Sequence, residues 1–328
     1  MAAAYATGTA TDPIDLLQKL VAWLVTQGWT SDASATEGTG WRAHLHKGSP
    51  AVYVHFRAAV NEQIWQYRYA NGYGIGLYMG DGYSGASAWN DQANAPEVYA
   101  TAYKCGAGME LVSGSITAYH FFDDGSDNVV VVVERSPGLF VHLGFGLTLP
   151  PHGFTVAYPY FFGSSPSYWN TAAPTTSIPG HDITAAAPCG HTHYYSSDYP
   201  ATTFVRVPSA IFADLWISNN YAANSSSVCG YTGMRIRCAL YLTPGTLAAT
   251  PNFSDLWPVC WPTAFPGAML LPLHMFCGMS TGRWAPIGYP PSIFACRATE
   301  HGFAAGEQWT VGGVNYLVFP GFAVLKAA

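Results

Sequence analysis

The segment with the most direct chemical potential is Cys189-Gly-His191-Thr-His193, in which a thiol and two imidazoles alternate with small residues. Alternate side chains point to the same side of a β-strand, and Cys and His are ligands that zinc prefers. His181 and Asp182 lie close by in the sequence and offer further ligands. The competing interpretation is a set of turn and surface groups in a Tyr-rich loop, and the sequence favours it because this spacing is only weakly diagnostic. We therefore expect no metal and no cofactor, and Cys189, His191 and His193 are the residues that would hold a metal.

A second group of imidazoles is predicted on two neighbouring strands. Residues 41–47 (WRAHLHK) and 51–57 (AVYVHFR) each alternate in hydropathy, and the short link 48–50 predicts a hairpin. The apolar face carries Trp41, Ala43, Leu45, Val52, Val54 and Phe56, and the opposite face carries Arg42, His44, His46, Tyr53, His55 and Arg57. The two arginines would repel a cation, and no carboxylate occurs among these residues. The sequence therefore favours a solvated or partner-facing surface over a metal site.

The acidic residues Asp123, Asp124, Asp127 and Glu134 are candidates for a catalytic carboxylate pair by number alone. A glycoside hydrolase needs two carboxyl groups about 5–10 Å apart, and nothing in the sequence sets such a distance. The three aspartates lie in DDGSDN, a run of turn-forming residues, so we expect a turn. The chain also lacks the HExxH, Walker A, GxSxG and CxxC motifs. We predict no catalytic residue and expect that the protein is not an enzyme.

The acidic turn belongs to residues 119–146, which read as three consecutive strands. Residues 129–133 are five valines, which is typical of a strand buried on both faces. After a second turn (ERSPG), residues 139–145 alternate, with Leu139, Val141, Leu143 and Phe145 on one face. This pattern predicts an antiparallel meander at the heart of a β-rich domain.

Residues 13–27 form the one convincing helix. Asp12 can cap it, Pro13 suits its first position and Gly28 can end it in a left-handed conformation. The apolar stripe that should pack against a sheet consists of Ile14, Leu17, Leu20, Val21, Leu24 and Val25.

The remaining segments are expected to be irregular or extended. The irregular segments are a polar loop at 30–40, turn-rich residues 58–118 and a long excursion at 147–205. The glycines of the turn-rich segment are expected to serve tight turns and close backbone approach. The ordered segments are a strand and short helix from residue 204, strands at 234–242 and 292–297, and a terminal hairpin with its turn at Gly312–Gly313.

Together these elements predict an α+β, β-dominated fold, in which an N-terminal helix packs on an antiparallel meander sheet. A second β-rich region with long Pro- and aromatic-rich loops follows. We divide the chain into a helix plus antiparallel β domain at 1–165, an extended arm at 166–205 and a β-rich C-terminal domain at 206–328.

The composition favours a protein that buries surface against neighbours. Of the 328 residues 49% are hydrophobic, 15% are aromatic and only 10% are charged, against an average of about 25% charged. Interface cores are rich in aromatic residues and poor in Lys. The net charge is −6 and Lys and Arg do not cluster, so we expect no nucleic-acid partner.

Targeting and redox signals are weak. No run of about 18 apolar residues occurs, so no membrane insertion is expected. The first residues lack the pattern of a signal peptide. The seven cysteines contain no CxxC pair and are expected to be mostly reduced, although the sequence leaves their disulfide state open.

Three stretches resemble a family of virion structural proteins of tailed bacteriophages and prophages. They are the meander with YHFF, VVVVVERSPGLFVHLGFG and FFGSS, the opening with DPIDLLQKLVAWLVTQGW, GWRAHLHKG and YVHFRAA, and the tail WAPIGYPPSIFACRATEHGFAAGEQWTVGGVNYLVFPG. The resemblance covers roughly residues 10–165 and 280–320, and the chain departs from it at LTLPPHGFTVAYP, where the family often has a charged segment. It implies a non-enzymatic building block of the tail or of the head–tail junction, and it supplies no catalytic residues.

We therefore expect a virion structural protein that self-associates as a homo-oligomer and contacts other phage structural proteins. Its location would be the virion, and the host cytoplasm during assembly. Two alternatives stay open. One is a host-surface carbohydrate-binding module that uses the aromatic loops at 147–205 or 251–290, and the other is a tail-associated metal-dependent hydrolase that uses Cys189, His191 and His193.

Overall fold

The computed structural model describes residues 2–48, 52–62, 72–98, 103–104, 106–150, 155–163, 203–207, 215–218, 234–238, 270–272, 275–279, 284–296, 298–320 and 322–327. The elements of the first half are β1 (Ala4–Ala10), α1 (Pro13–Thr26), β2 (Thr30–Glu37), β3 (Gly40–Lys47), β4 (Val52–Glu62), β5 (Gly72–Gly80), β6 (Glu97–Val98), β7 (Tyr103–Lys104), β8 (Ala107–Leu111), β9 (Ile116–Asp123), β10 (Val129–Ser136), β11 (Leu139–Leu147) and β12 (Pro159–Gly163). Those of the second half are β13 (Thr203–Val207), β14 (Leu215–Ser218), β15 (Met234–Cys238), β16 (Leu271–Pro272), β17 (Met275–Met279), β18 (Trp284–Gly288), β19 (Ile293–Ala295), a 3₁₀ turn (Ala298–His301), β20 (Gln308–Val311), β21 (Val314–Phe319) and β22 (Phe322–Lys326).

The described strands form three main antiparallel sheets. The central sheet has the order β1-β9-β10-β11-β12-β13-β14, the N-terminal sheet has the order β2-β3-β4-β5-β8, and the C-terminal sheet has the order β16-β19-β22-β21-β20. Two smaller sheets are β15-β17-β18 and β6-β7. The predicted β-dominated α+β fold is confirmed.

The valine run of β10 lies at the centre of the molecule, and each of its two faces belongs to a different core. Val129, Val131 and Val133 pack with side chains of α1 and the N-terminal sheet. Val130 and Val132 pack with side chains of the C-terminal sheet, including Phe319. All five valines are fully buried, as their sequence predicts. The central sheet is therefore the middle layer of three.

The helix begins and ends where the sequence predicts. The Asp12 carboxylate accepts a hydrogen bond from the Asp15 N–H at 2.8 Å, and Gly28 has a φ of 82°. The predicted apolar stripe was wrong at its edge, because Leu16 is buried while Val25 is 47% exposed. The most deeply buried row consists of Leu16, Leu20 and Leu24, and Val25, in the last turn of the helix, is rotated by about 100° from Leu24.

Three predicted irregular or helical segments are strands. β2 replaces the polar loop, because an edge strand pairs on one side and can remain polar. β5 replaces part of the turn-rich region, with Ile75, Leu77 and Met79 buried on its core face. β14 replaces the short helix and pairs with β13. In each case pairing with a distant segment overrides the local signal.

Other local predictions were correct. β15 and β19 lie inside the two predicted strands, and Gly312 and Gly313 have φ values of 58° and 83°, as a two-residue type I′ turn requires. Within the predicted 147–205 excursion, Pro159–Gly163 form β12 of the central sheet, and residues 164–202 lie outside the described ranges. Within those ranges, no helix has the length and hydropathy needed to cross a membrane.

Candidate functional site

The sequence-predicted metal ligands Cys189, His191 and His193 lie outside the described residues, as do His181 and Asp182. Among the residues that the structure does describe, no three His, Cys, Asp or Glu side chains come together to hold a metal ion. The site with the most unusual chemistry is instead on the N-terminal sheet.

A row of rings crosses the outer face of this sheet. His44 of β3 is the cross-strand partner of His55 of β4, which in turn faces Tyr78 of β5. The ring centroids are 5.0 Å apart between the histidines and 4.7 Å apart between His55 and Tyr78. His44 is 1% exposed and His55 is fully buried. The prediction of a solvated or partner-facing surface was therefore wrong at its centre, because residues 81–95 cover it.

The two imidazoles are joined by a hydrogen bond. Their Nδ1 atoms lie 2.8 Å apart, so one Nδ1–H donates to the unprotonated Nδ1 of the other. Burial lowers the pKa of His44 to about 4, and the charge of Arg42 adds to this shift. Burial lowers the pKa of His55 to about 3, and His44 adds to that shift. Both rings are neutral at neutral pH, and the buried Nε2 of His55 has no hydrogen-bond partner in the described structure.

The covering segment is fixed by its own polar side chains. The Tyr78 hydroxyl donates to the Trp89 carbonyl. The Gln92 amide accepts from the Ser84 N–H at 2.6 Å and donates to the Ala88 carbonyl at 2.9 Å. These bonds hold the segment in one conformation over the histidines.

An ion pair and a close backbone approach position the ends of the covering segment. Arg206 of β13 forms a two-point ion pair with Asp81, which joins the segment to the central sheet. Gly80 permits the close approach, because a Cβ there would lie 2.7 Å from the Ala93 carbonyl oxygen and 3.1 Å from the His55 Nε2. The expectation that some glycines of this region serve close backbone approach is confirmed at Gly80.

Carboxylates pair with three side chains around the ring row. None of these acids belongs to the hairpin 41–57, because they come from β2 and from the end of β4. Arg42–Glu37 (2.7 Å) and Arg57–Glu62 (2.6 Å) are ion pairs, and His46 forms a hydrogen bond with Asp32 (2.9 Å).

The acidic turn lies between β9 and β10, as predicted, and Asp124 accepts from the Ser126 N–H at 2.7 Å in the way expected of a turn. Asp123, however, is 3% exposed and faces the space between the N-terminal and central sheets. Lys47 reaches it from β3, with Nζ 3.6 Å from Asp123 Oδ2 and 3.3 Å from Asp127 Oδ1. Sequence reasoning missed Lys47, although it continues the alternation of the core residues Ala43 and Leu45.

Glu134 and its neighbour point to different partners. Glu134 accepts from the Gly138 N–H at 3.0 Å, within the turn that follows β10. Arg135 forms an ion pair with Glu110 of β8 at 3.1 Å, which joins the central sheet to the N-terminal sheet. Burial raises the pKa of Glu110, and Arg135 opposes that shift. The Arg135–Glu110 pair stabilises the packing of the two layers.

Comparison with models of protein families and with curated proteins found no match to this chain.

Proposed function

We propose that this chain is a structural component of a tailed-phage virion, at the tail or the head–tail junction. It acts by self-association and by contacts with other virion proteins. The motifs of the meander, the opening and the tail support this proposal, and so does the low content of charged residues. The observation that carries it is the character of two sheet edges.

The first edge is β1, at one end of the central sheet. In the described part of the chain β1 pairs with β9 alone, and its sequence AYATGTA contains no charged residue and no proline. The Lys19 Nζ donates a hydrogen bond to the Thr9 carbonyl at 2.8 Å. Residues 4–8 are therefore the open part of this sheet edge. Natural sheets usually protect an open edge with charges, prolines or a covering element. An edge without such protection is suited to pairing with a strand of a neighbouring subunit.

The second edge is β20, at one end of the C-terminal sheet. Within the described residues it pairs with β21 alone, and its sequence QWTV is uncharged. Val311 and Val314 are exposed at the tip of this hairpin. The N-terminal sheet differs, because its edge strand β2 carries the charged residues Asp32 and Glu37. We therefore assign the assembly contacts to the central and C-terminal sheets.

The test adds one charge to each open edge. Thr7→Lys on β1 and Thr310→Lys on β20 should each lower self-association, measured by sedimentation at several protein concentrations. Thr26→Lys is the matched control. Like Thr7, Thr26 is an exposed threonine whose hydroxyl donates to a backbone carbonyl, but Thr26 lies on α1 and not on a sheet edge.

The virion assignment has its own measurement. Mass spectrometry of gradient-purified particles from the phage or prophage that encodes the chain should detect it at a constant ratio to the other structural proteins. Particles that carry no trace of it would contradict the proposal.

A further inference from the structure

Lys47 and Asp123 are a buried pair whose reactive atoms are not satisfied by hydrogen bonds. Lys47 is the last residue of β3 and Asp123 is the last residue of β9, so they join the N-terminal sheet to the central sheet. Lys47 is 8% exposed and Asp123 is 3% exposed. Within the described structure neither Lys47 Nζ nor Asp123 Oδ2 has a hydrogen-bond partner, although the two atoms lie 3.6 Å apart. An ordinary buried ion pair needs good hydrogen-bond geometry to offset its desolvation.

The two oxygens of the Asp123 carboxyl group are in different environments. Oδ1 accepts a hydrogen bond of 2.6 Å from the Gly125 N–H. Oδ2 faces the lysine. A backbone N–H placed on one oxygen is the arrangement that stabilises negative charge when a nucleophile adds to the carboxyl carbon. The other oxygen is then the leaving group.

Two further side chains complete the site. The Lys47 Nζ lies 5.6 Å from the centroid of the Trp29 ring, and this buried indole shields the amine from water. The Asp127 carboxylate lies 3.3 Å from the same Nζ and is 29% exposed, so it can carry protons at the boundary with solvent. A carboxylate beside an amine nucleophile serves as a general acid and base.

We propose that Lys47 and Asp123 condense to form an intramolecular isopeptide bond, with Asp127 as the proton-transfer group. One proton first moves from Nζ to Oδ2, which gives an amine and a neutral carboxylic acid. The Nζ lone pair then adds to Cγ while the Gly125 N–H stabilises the charge on Oδ1. Asp127 takes a second proton from Nζ and delivers it to Oδ2, the Cγ–Oδ2 bond breaks, and water leaves. The ammonium and carboxylate become an amide and one water, and no oxidant or reductant takes part.

The bond would be a covalent connection between two layers of the fold. It joins residues that are far apart in the sequence, and a crosslink across a long loop restricts the unfolded chain strongly. The proposal does not depend on the virion assignment, because it rests on side-chain geometry alone.

The test is mass spectrometry of the purified, folded full-length chain. The intact mass should be lower than the sequence mass by one water. After trypsin, cleavage at Lys47 should be lost, and residues 43–57 should be found joined to residues 105–135 as one branched peptide, since both segments are bounded by Lys or Arg. An intact mass equal to that of the sequence, with full cleavage at Lys47, would overturn the proposal.

Variants separate the roles of the three side chains. Lys47→Arg keeps the charge and should show no branched peptide. Asp123→Asn should give the same amide with loss of ammonia in place of water, a different mass change from its own sequence. Asp127→Asn should slow bond formation about 100-fold or more in freshly refolded protein. A branched peptide that forms in Asp127→Asn at the wild-type rate would remove Asp127 from the mechanism.

The pair Lys19–Asp15 is an internal control in the same digest. Its atoms are closer, at 2.8 Å, but both side chains are solvated. Cleavage after Lys19 should remain complete. Loss of cleavage at Lys19 as well would show that the crosslink is non-specific, and would overturn the assignment to a built site.

Discussion

His44 and His55 share a buried hydrogen bond between their Nδ1 atoms, on the face of the hairpin that alternation assigns to the exterior. The bond requires that one ring carries a proton on Nδ1 and that the other does not. If both Nδ1 atoms carried a proton, two donors would face each other. A proton added at the Nε2 of the donor ring would keep the bond, but it would place a charge in a buried site. Burial therefore disfavours every charged form of the pair and lowers both pKa values.

We expect the protein to lose stability when the pH falls. In the unfolded chain these histidines bind protons near the ordinary pKa of about 6.5, whereas in the fold they do so only near pKa values of about 4 and about 3. Because the unfolded state then binds more protons, the contribution is complete above about pH 6.5 and is lost progressively as the pH falls towards about 3. Urea unfolding midpoints measured across this range should fall.

The double variant His44→Gln/His55→Gln should flatten this pH dependence. It should not abolish it, because burial also lowers the pKa of His142 to about 3, which acts in the same direction. The loss should be on the order of a few kcal/mol in the wild type. A wild-type midpoint that stays constant from neutral pH to about pH 4 would disprove the role given to the pair.

Gly80→Ala should loosen the segment over the histidines. The new Cβ would lie 2.7 Å from the Ala93 carbonyl oxygen, so the backbone of the covering segment must shift. We expect a loss of roughly 1–3 kcal/mol in the free energy of unfolding and faster proteolysis within 81–95. Gly82→Ala is the matched control, because the nearest atom there is the Ala93 Cβ at 3.9 Å. Equal effects of the two substitutions would contradict the packing described.

Val130→Ala and Val131→Ala should each destabilise the protein, although they affect different cores. Val131 faces the N-terminal sheet and Val130 faces the C-terminal sheet. Each should cost on the order of 1–3 kcal/mol, because the fully buried strand cannot close the cavity. Val314→Ala, at a position that is 41% exposed, should change stability by less than about 0.5 kcal/mol. Chemical unfolding of the three variants measures these losses of unfolding free energy. If β10 had a core on one face only, one of the two valine substitutions in β10 would cost as little as Val314→Ala.

Glu110→Gln should destabilise the protein more than the double variant Glu110→Gln/Arg135→Met. The single change leaves the guanidinium of Arg135, which is 11% exposed, without its carboxylate. Removing one partner of a buried pair costs about 3–5 kcal/mol, whereas removing both charges is often nearly neutral. A double-mutant cycle in urea measures the difference. Additive effects would mean that the two side chains do not interact.

Much of the fold could be predicted from local sequence. The valine run, the helix with Asp12 and Gly28 at its ends, and the Gly312–Gly313 turn each have a pattern with one physical explanation. β2 and β5 were missed for the opposite reason. A polar edge strand and a glycine-rich strand have weak local signals, and hydrogen bonds to neighbouring strands determine them.

The site was less predictable than the fold. Alternation correctly separated the two faces of the hairpin that carries His44 and His55, but it could not show that residues 81–95 cover the polar face. Alternation also places Lys47 on the same side as Ala43 and Leu45, although lysine is rarely buried.

The sequence by itself determined which side chains share a strand face, because the period of two along a strand is set by backbone geometry. It also determined where the main turns of the meander and of the last hairpin lie. Only the tertiary structure decided that the valine run separates two cores, that the two histidines are buried as a neutral pair and that Lys47 meets Asp123. Each of these contacts joins segments that lie on different strands or in different sheets, and their distance in space depends on how the layers stack rather than on any local pattern.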